Sequence, residues 1–396
     1  MRVLIAFDKF KDSMTAPVAC EAAIRGARRA LGETVEIESA PLTDGGEGFC
    51  EILTTGAGGQ LTMHSVSGPK STPVSAPIGW VDSSSLSESV HSMIPICDGK
   101  LAIIEMASAA GLEQVPRSDR HPNYCTTFGV GQLIAIATEN QANAILLGIG
   151  GSATSDVGLG ALEALGIQFF DTENRVIEQI KPVDWPRVAG IKGSLLKEIP
   201  PIYIACDVDN PLLGPRGAAA VYGPQKGLAQ NEISAFDSAS GKVADLICKH
   251  FEQPSDLRDT PGSGAAGGVG FALKVACGAN YIPGFELVTA WIDLEAKIQR
   301  ANCVLSGEGK IDRSSLAGKG PIALAKSAEA QSKASFLFAG ALEDGLPQLF
   351  KEQFSRCEVF AISPDGLELE QALRDGAINL ESKVTKILTE VYGDEC

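Results

Sequence analysis

Five short acidic segments and three glycine-rich loops recur through this chain. The acidic segments are Asp8-Lys-Phe-Lys11, Asp44-Gly-Gly-Glu-Gly48, Asp156, Asp207-Val-Asp-Asn210 and Glu308-Gly-Lys-Ile-Asp312. The loops are Leu147-Gly-Ile-Gly-Gly-Ser-Ala-Thr-Ser-Asp156, Pro261-Gly-Ser-Gly-Ala-Ala-Gly-Gly-Val-Gly270 and Ser306-Gly-Glu-Gly-Lys-Ile-Asp312. Glycine lets backbone N–H groups come close to an anion. A neighbouring carboxylate can hold a divalent cation or take a proton. Together these are the residue types that a phosphoryl-transfer site uses.

Each motif also has a rival reading. Gly148-Ile-Gly-Gly-Ser-Ala153 fits the G-x-G-x-x-A dinucleotide fingerprint, with Asp171 about twenty residues on. That is the case for an NAD(P)-dependent dehydrogenase of a small hydroxy acid. Ser152, Thr154, Ser155 and Asp156 crowd the same turn and suit a phosphate or substrate contact better; a plain capped turn is the third reading. Gly262-Ser-Gly-Ala-Ala-Gly267 follows no strand, so it fails as a dinucleotide site. It stands either as an anion-binding helix start or as close packing of small residues. Asp207 and Asp209, two apart, can share a Mg²⁺ with substrate phosphates or simply close an Asx turn. Lys9 and Lys11 can neutralise a carboxylate or lie in a solvated turn. Lys226, in Gly223-Pro-Gln-Lys-Gly227, and Arg216 each offer a cation to an anion or to solvent. Walker, protein-kinase and G-x-S-x-G signatures are absent.

The elements around these motifs read as α/β. Residues 2–7 form a short apolar strand, and residues 15–31 a helix with Pro17 in its first turn and Gly32 at its end. In that helix Val18, Ala22, Ile24, Ala27 and Leu31 mark the apolar face. Residues 35–42 give a second strand, and the Asp44 turn opens a second helix. Residues 58–81 alternate as antiparallel strands do, and the serine-rich stretch 82–91 reads as a mobile loop. Further strands are expected at 101–105, 144–147 and 202–206. Helices are expected at 127–138, 156–165, 233–251 and 268–276. From about residue 290 the βα rhythm returns, with strands at 303–306, 334–339 and 357–362.

The expected fold is a doubly wound, parallel-sheet α/β domain of flavodoxin or Rossmann type, from residues 1–58 plus 290–396. A second, mixed α/β domain (59–289) is inserted into it. A 2-1-3-4-5 strand order would set Asp8 beside the 307–312 segment, though the two lie about 300 residues apart. The Asp44 turn would share that edge, and the active site would lie in the interdomain cleft.

Composition narrows the function. A net charge of −16, from 33 basic and 49 acidic side chains, argues against nucleic acid or an anionic membrane as partner. Ten cysteines without a CxxC pair read as reduced thiols in a cytoplasmic protein. The four histidines lack metal-ligand spacing. No 18-residue apolar stretch is present.

Taken together, the motif set resembles the type I glycerate kinases. The matching segments are Asp8-Lys-Phe-Lys-Asp-Ser13, Pro41-Leu-Thr-Asp-Gly-Gly-Glu-Gly48, Ile104-Glu-Met-Ala-Ser-Ala-Ala-Gly-Leu112, Thr126-Thr-Phe-Gly-Val-Gly-Gln132, the three glycine loops, Ala205-Cys-Asp-Val-Asp-Asn-Pro-Leu-Leu-Gly214 and Tyr222-Gly-Pro-Gln-Lys-Gly227. They run in family order along nearly the whole chain. Asp12 and Val157 stand where many members have Gly, and Thr43 where Ala is frequent. The resemblance implies ATP-dependent phosphorylation of D-glycerate, with Mg²⁺ as counter-ion and a lean toward the 2-hydroxyl. On that basis Lys11 or Lys9, with Asp8, Gly150, Gly151, Ser152 and Asp156, would bind glycerate. Gly262, Ser263, Gly264, Gly267, Gly268, Glu308 and Asp312 would face the nucleotide. Asp207 and Asp209 would hold the metal, and Asp44 or Asp207 would act as base. A non-catalytic small-acid sensor is the remaining alternative, and homo-oligomerisation stays open.

Overall fold

The apolar run Arg2–Phe7 is a strand whose last five residues are fully buried. In the structure, a computed structural model that describes residues 1–96, 98–313, 315, 320–364 and 366–393, this strand organises the first of two compact units. That unit comprises Met1–Asp44 and Val288–Cys396. Its sheet runs Cys357–Ala361, Ala334–Leu342, Cys303–Ile311, Arg2–Phe7, Glu36–Ser39 in space, all parallel. This is the expected 2-1-3-4-5 order.

Side chains alternate across the sheet, as the period of two requires. Val3, Ile5, Phe7, Leu305 and Phe338 pack on one face with the helices Ala16–Leu31 and Gly376–Tyr392. Leu4, Ala6, Val304, Leu337 and Ala339 face the opposite way, toward Leu294–Arg300, Pro321–Ala330 and Leu346–Gln353. The first helix buries a row of alanines, whereas Val18, expected on the apolar face, is exposed. Small residues let the two helices of the first face meet closely. A Cβ on Gly26 would lie 2.6 Å from the Glu381 carbonyl oxygen and 3.0 Å from Val384 Cβ.

The second unit is Gly45–Leu287. Its six-stranded sheet runs Asn280–Ile282, Ile202–Ala205, Ala144–Gly148, Lys100–Glu105, Pro73–Asp82, Gln60–Ser67. The first four are parallel; the last two join antiparallel, as the alternation in 58–81 predicts. A small antiparallel sheet of Val176–Ile177, Gln168–Phe170 and Gly190–Lys192 stands apart from it.

The junction between the units falls at Asp44/Gly45, where the sequence reading put residue 58. The reason is the helix Phe49–Gly56, which packs on the second sheet. The Cys50 thiol donates to the Ile103 carbonyl at 3.2 Å, and a side chain at Gly79 would strike Thr54. The serine-rich stretch is also not a plain loop. The Asp82 carboxylate accepts from Ser84 N at 2.9 Å to form a helical turn at Ser83–Ser85. Ser87 then caps the helix Glu88–Met93. The eight described cysteines are free thiols; Cys97 and Cys396 lie outside the described residues. No described helix is long and apolar enough to cross a membrane.

Gly26→Ala tests the close helix contact. Forcing the helices apart costs about 1–3 kcal/mol, against about 1 kcal/mol of helix propensity gained. A lowered urea midpoint with unchanged kcat is expected; a raised midpoint would show that the helices part freely.

Candidate active site

Parallel pairing of Arg2–Phe7 with Cys303–Ile311, Phe7 opposite Gly307, sets Asp8 beside Glu308. The pairing continues past the strand end: Asp8 N donates to Gly307 O at 3.0 Å and Gly309 N to Lys9 O at 3.3 Å. Both glycines of the Gly307-Glu-Gly309 stretch are there for space. A side chain on Gly307 would strike the Phe338 carbonyl, and one on Gly309 would sit 2.8 Å from Lys11 N. The loop's glycines thus admit neighbouring backbone rather than an anion.

Four carboxyl groups gather at this edge. Asp8 is buried, and its Oδ1 accepts from Lys9 N at 2.7 Å. Asp44 pairs with Lys9 Nζ at 3.1 Å. Asp312 pairs with Lys310 Nζ at 2.8 Å, and its N–H donates to Ser315 Oγ at 3.3 Å. Glu308 is pushed up to about 7, first by burial and then by the Asp8 carboxylate, with Asp44 and Asp312 adding to the push and a hydrogen bond from Ser315 opposing it. A carboxylate so placed ionises near neutral pH and is suited to take a proton. The sequence points to the nucleotide for Glu308 and to Asp44 or Asp207 as base; in this unit Asp44 pairs with Lys9. Lys11 is exposed, and its ammonium makes no ion pair among the described residues. Asp12, one of the departures from Gly, sits at φ 61°, a left-handed position that Asp tolerates.

In the second unit the carboxyl ends of the strands carry Glu105, the 148–152 turn and Asp207. Glu105, opposite Gly148, is buried and accepts from Cys50 N at 3.2 Å. No role was read for it from sequence, although it ends an apolar run as Asp8 does. The 148–152 turn lies against the 45–47 segment. Gly150 N donates to Gly45 O at 2.9 Å, a Cβ on Gly150 would be 2.7 Å from Gly46 Cα, and one on Gly148 would be 2.5 Å from the Phe49 ring. The following helix begins only at Leu159. A dinucleotide site needs the helix to open directly from the glycines, so the fingerprint reading fails. Asp171 fails with it: its carboxylate closes the turn before Val176–Ile177, accepting from the backbone of Glu173 and Arg175 and from Arg175 Nε at 2.8 Å.

Asp156 is corrected from substrate ligand to structural anchor. It is fully buried, and its carboxylate accepts from Thr127 N and Oγ1 at 2.8 Å each, from Gly158 N at 3.1 Å and from Gly160 N at 3.2 Å. With four donors on it and no exposure, it ties the start of Leu159–Ala164 to the start of Phe128–Glu139. Val157, the other departure from Gly, is held at φ 55° with its side chain in the core, a strained position for a β-branched residue.

The 262–268 loop is likewise corrected from phosphate cradle to packing element. The N–H groups of Ser263, Gly264, Ala265 and Gly267 are taken by Thr260, Asn210, Gly262 and Gly264 carbonyls. Ser263 Oγ donates to Leu257 O, and side chains at Gly264 or Gly267 would strike Pro211 or Thr154. Gly268, at φ 94°, leaves 2.8 Å to Leu212 and 3.0 Å to Val157.

The two expected metal ligands diverge. Asp207 follows the strand Ile202–Ala205 and receives Phe285 N on both oxygens, at 3.1 and 3.0 Å, at the start of the helix Gly284–Trp291. Asp209 is exposed and clamped by Arg216 Nη2 at 2.8 Å to both oxygens. Arg216 is therefore engaged with Asp209. Lys226 is neither at the surface nor open to solvent: it is buried, donating to Ser152 Oγ at 2.8 Å and Thr154 O at 2.6 Å. Among the described residues no group of three or more His, Cys, Asp and Glu is placed to hold a metal.

The model of the glycerate kinase family matches residues 3–392. The glycerate kinase of Bacillus subtilis is 34% identical over 398 residues, covering 99% of this chain and 98% of the relative. The glycerate 2-kinase of Escherichia coli is 35% identical over 387 residues, covering 96% and 95%. A crystal structure from Salmonella typhimurium, carrying the glycerate kinase 2 name, superposes with a TM-score of 0.74 at 34% identity over 100% of this chain and 99% of that one. Agreement of this extent in both sequence and fold makes the chain a member of the glycerate kinase family, a family of small-molecule kinases.

Proposed function

We propose that this kinase transfers the γ-phosphoryl group of ATP to the 2-hydroxyl of D-glycerate. Family membership supports the acceptor, and the name of the Escherichia coli relative supports the 2-position. The observation that carries the chemistry is the Glu308 carboxyl beside Asp8, poised to ionise near neutral pH. In this reading Glu308 accepts the proton of the attacking hydroxyl, and Asp8 keeps its affinity for that proton high. Lys11 meets the carboxylate of glycerate, since Lys9 is already paired with Asp44. The amides of Gly151 and Ser152 and the Ser152 hydroxyl donate to an anionic oxygen of the same substrate.

Hard oxygen ligands are what Mg²⁺ takes, and it binds ATP through few protein carboxylates. Asp207 fits that requirement, because its carboxylate is fixed in place by the Phe285 amide at the end of the sheet. Asp209 does not, because Arg216 occupies both of its oxygens. When bound, the ion would offset the charge of the phosphate oxygens.

Phosphorus NMR of a reaction of the protein with D-glycerate, ATP and Mg²⁺ should give 2-phosphoglycerate. A 3-phosphoglycerate signal would overturn the regiochemistry, and no turnover with ATP would overturn the donor.

Glu308→Gln should lower kcat by roughly 10²–10⁴-fold. The sign of the pH effect follows from the base being active when ionised. Wild-type kcat/KM should therefore fall as pH drops below about 7, and the variant should lose that limb. A retained limb would move the base elsewhere.

Lys11→Ala should raise KM for D-glycerate by about tenfold, roughly 1.4 kcal/mol, with KM for ATP within about twofold. Equal effects on both substrates would reject the carboxylate contact.

A further inference from the structure

Lys226 is the one charged residue among the largest fully buried side chains described. Burying an ammonium is costly unless it is hydrogen-bonded. Its bonds run to Ser152 Oγ at 2.8 Å and to Thr154 O at 2.6 Å, both on the segment that continues the 148–152 turn. Asp156, the nearest carboxylate acting on it, already accepts four hydrogen bonds from Thr127, Gly158 and Gly160. Lys226 therefore makes no hydrogen bond to Asp156, and its own bonds go to the segment that carries Ser152.

Its effect falls on Ser152. A hydroxyl that accepts from an ammonium turns its own proton elsewhere. The amide N–H groups of Gly151 and Ser152 have no acceptor among the described residues. The turn therefore offers up to three donors. Carboxylates stand close: Glu47 lies where a side chain on Gly151 would be, and Asp156 acts on the Lys226 ammonium that donates to Ser152. An anion reaching this turn would meet their repulsion but for the cation behind it.

We propose that Lys226 is a positioning residue for the kinase reaction, holding the Ser152 hydroxyl and the 150–152 turn as a donor set for an anionic oxygen of the acid substrate. The inference rests on the assignment of that turn to substrate. Burial pulls Lys226 down to about 7, while Asp156 and Cys125, the ionisable groups that face it, pull the other way. An anion bound at the turn adds to the upward pull, so substrate binding should draw a proton onto Lys226.

The test compares Lys226→Met, Ser152→Ala and the double variant by KM for D-glycerate, KM for ATP and thermal melting. Lys226→Met should raise KM for D-glycerate about tenfold with KM for ATP within about twofold. In the Ser152→Ala background the same substitution should change KM for D-glycerate less than about threefold, because coupled residues are non-additive. A lower melting temperature with unchanged KM for D-glycerate would leave Lys226 a purely structural residue and overturn the proposal. If Ser152→Ala raises that KM and Lys226→Met does not, only the role of Lys226 falls. If Ser152→Ala changes nothing, the substrate assignment of the turn falls, and the proposal with it. Wild-type protein supplies a check independent of folding of the variants. With ¹³C at the lysine ε-carbons, saturating D-glycerate should move the Lys226 titration upward in pH; an unmoved titration would overturn the proposal.

Discussion

The pairing of the first strand with the strand that begins at Cys303 is the constraint on which the first unit depends. It joins stretches about 300 residues apart, and its register, Val3 with Cys303 through Phe7 with Gly307, fixes which side chains meet beyond the strand ends. Parallel neighbours end on the same edge, so one register choice brings Asp8 and Glu308 together. Slipping it by one residue would send Glu308 to the other face of the sheet. The alternating core residues would be misplaced at the same time, so burial of Val3, Ile5 and Phe7 against Leu305 and Phe338 holds the carboxyl pair in place. Packing energy thereby enforces an arrangement of like charges that electrostatics alone would disperse.

Glycine does different work here from what its local patterns suggest. At residues 148–151, 262–268 and 307–309 the missing Cβ is filled by a neighbouring backbone or side chain of the same unit. In a G-x-G pattern the need for room is visible, but the identity of what fills the room is not. A phosphate, a ring such as Phe49 and a carbonyl such as that of Phe338 all make the same demand on the sequence. The departures at 12 and 157 bear this out from the other side. Both lie at positive φ, where Gly is the relaxed choice, and Val157 is retained with its side chain in an apolar cluster.

Strand order and the adjacency of Asp8 to the 307–312 segment were legible in the sequence, because short apolar runs separated by helical stretches leave few topologies for a parallel sheet. The antiparallel pair in 58–81 was legible from alternation. The boundary at 58 was misplaced because the helix Phe49–Gly56 looks the same whichever sheet it covers; what decides is Gly79, far downstream in the chain, which opens a place for Thr54. The site was less legible than the fold. Asp156 reads as a reactive carboxylate until Thr127 is seen to hold it, and Lys226 reads as a surface cation until its burial is seen. Charge type is written in the sequence, but desolvation is a tertiary property.

Desolvation also explains why Glu308 in one unit and Lys226 in the other are set near neutrality. Glu308 is raised to about 7, so its folded form keeps a proton that the unfolded chain releases above its ordinary value of 4.5. Its contribution to stability therefore declines as pH rises through that interval and is lowest above about 7. Lys226 is lowered from 10.5 to about 7, so the unfolded chain holds a proton that the folded form gives up. Its contribution grows as pH rises from about 7 toward 10.5 and is lowest below about 7. The two unfavourable ranges meet close to neutral pH, so both groups weigh against the fold where a glycerate kinase would work. Neither ionisation favours the folded chain at that pH. Their presence is accounted for if one exchanges a proton with a substrate hydroxyl and the other answers the charge of a bound acid.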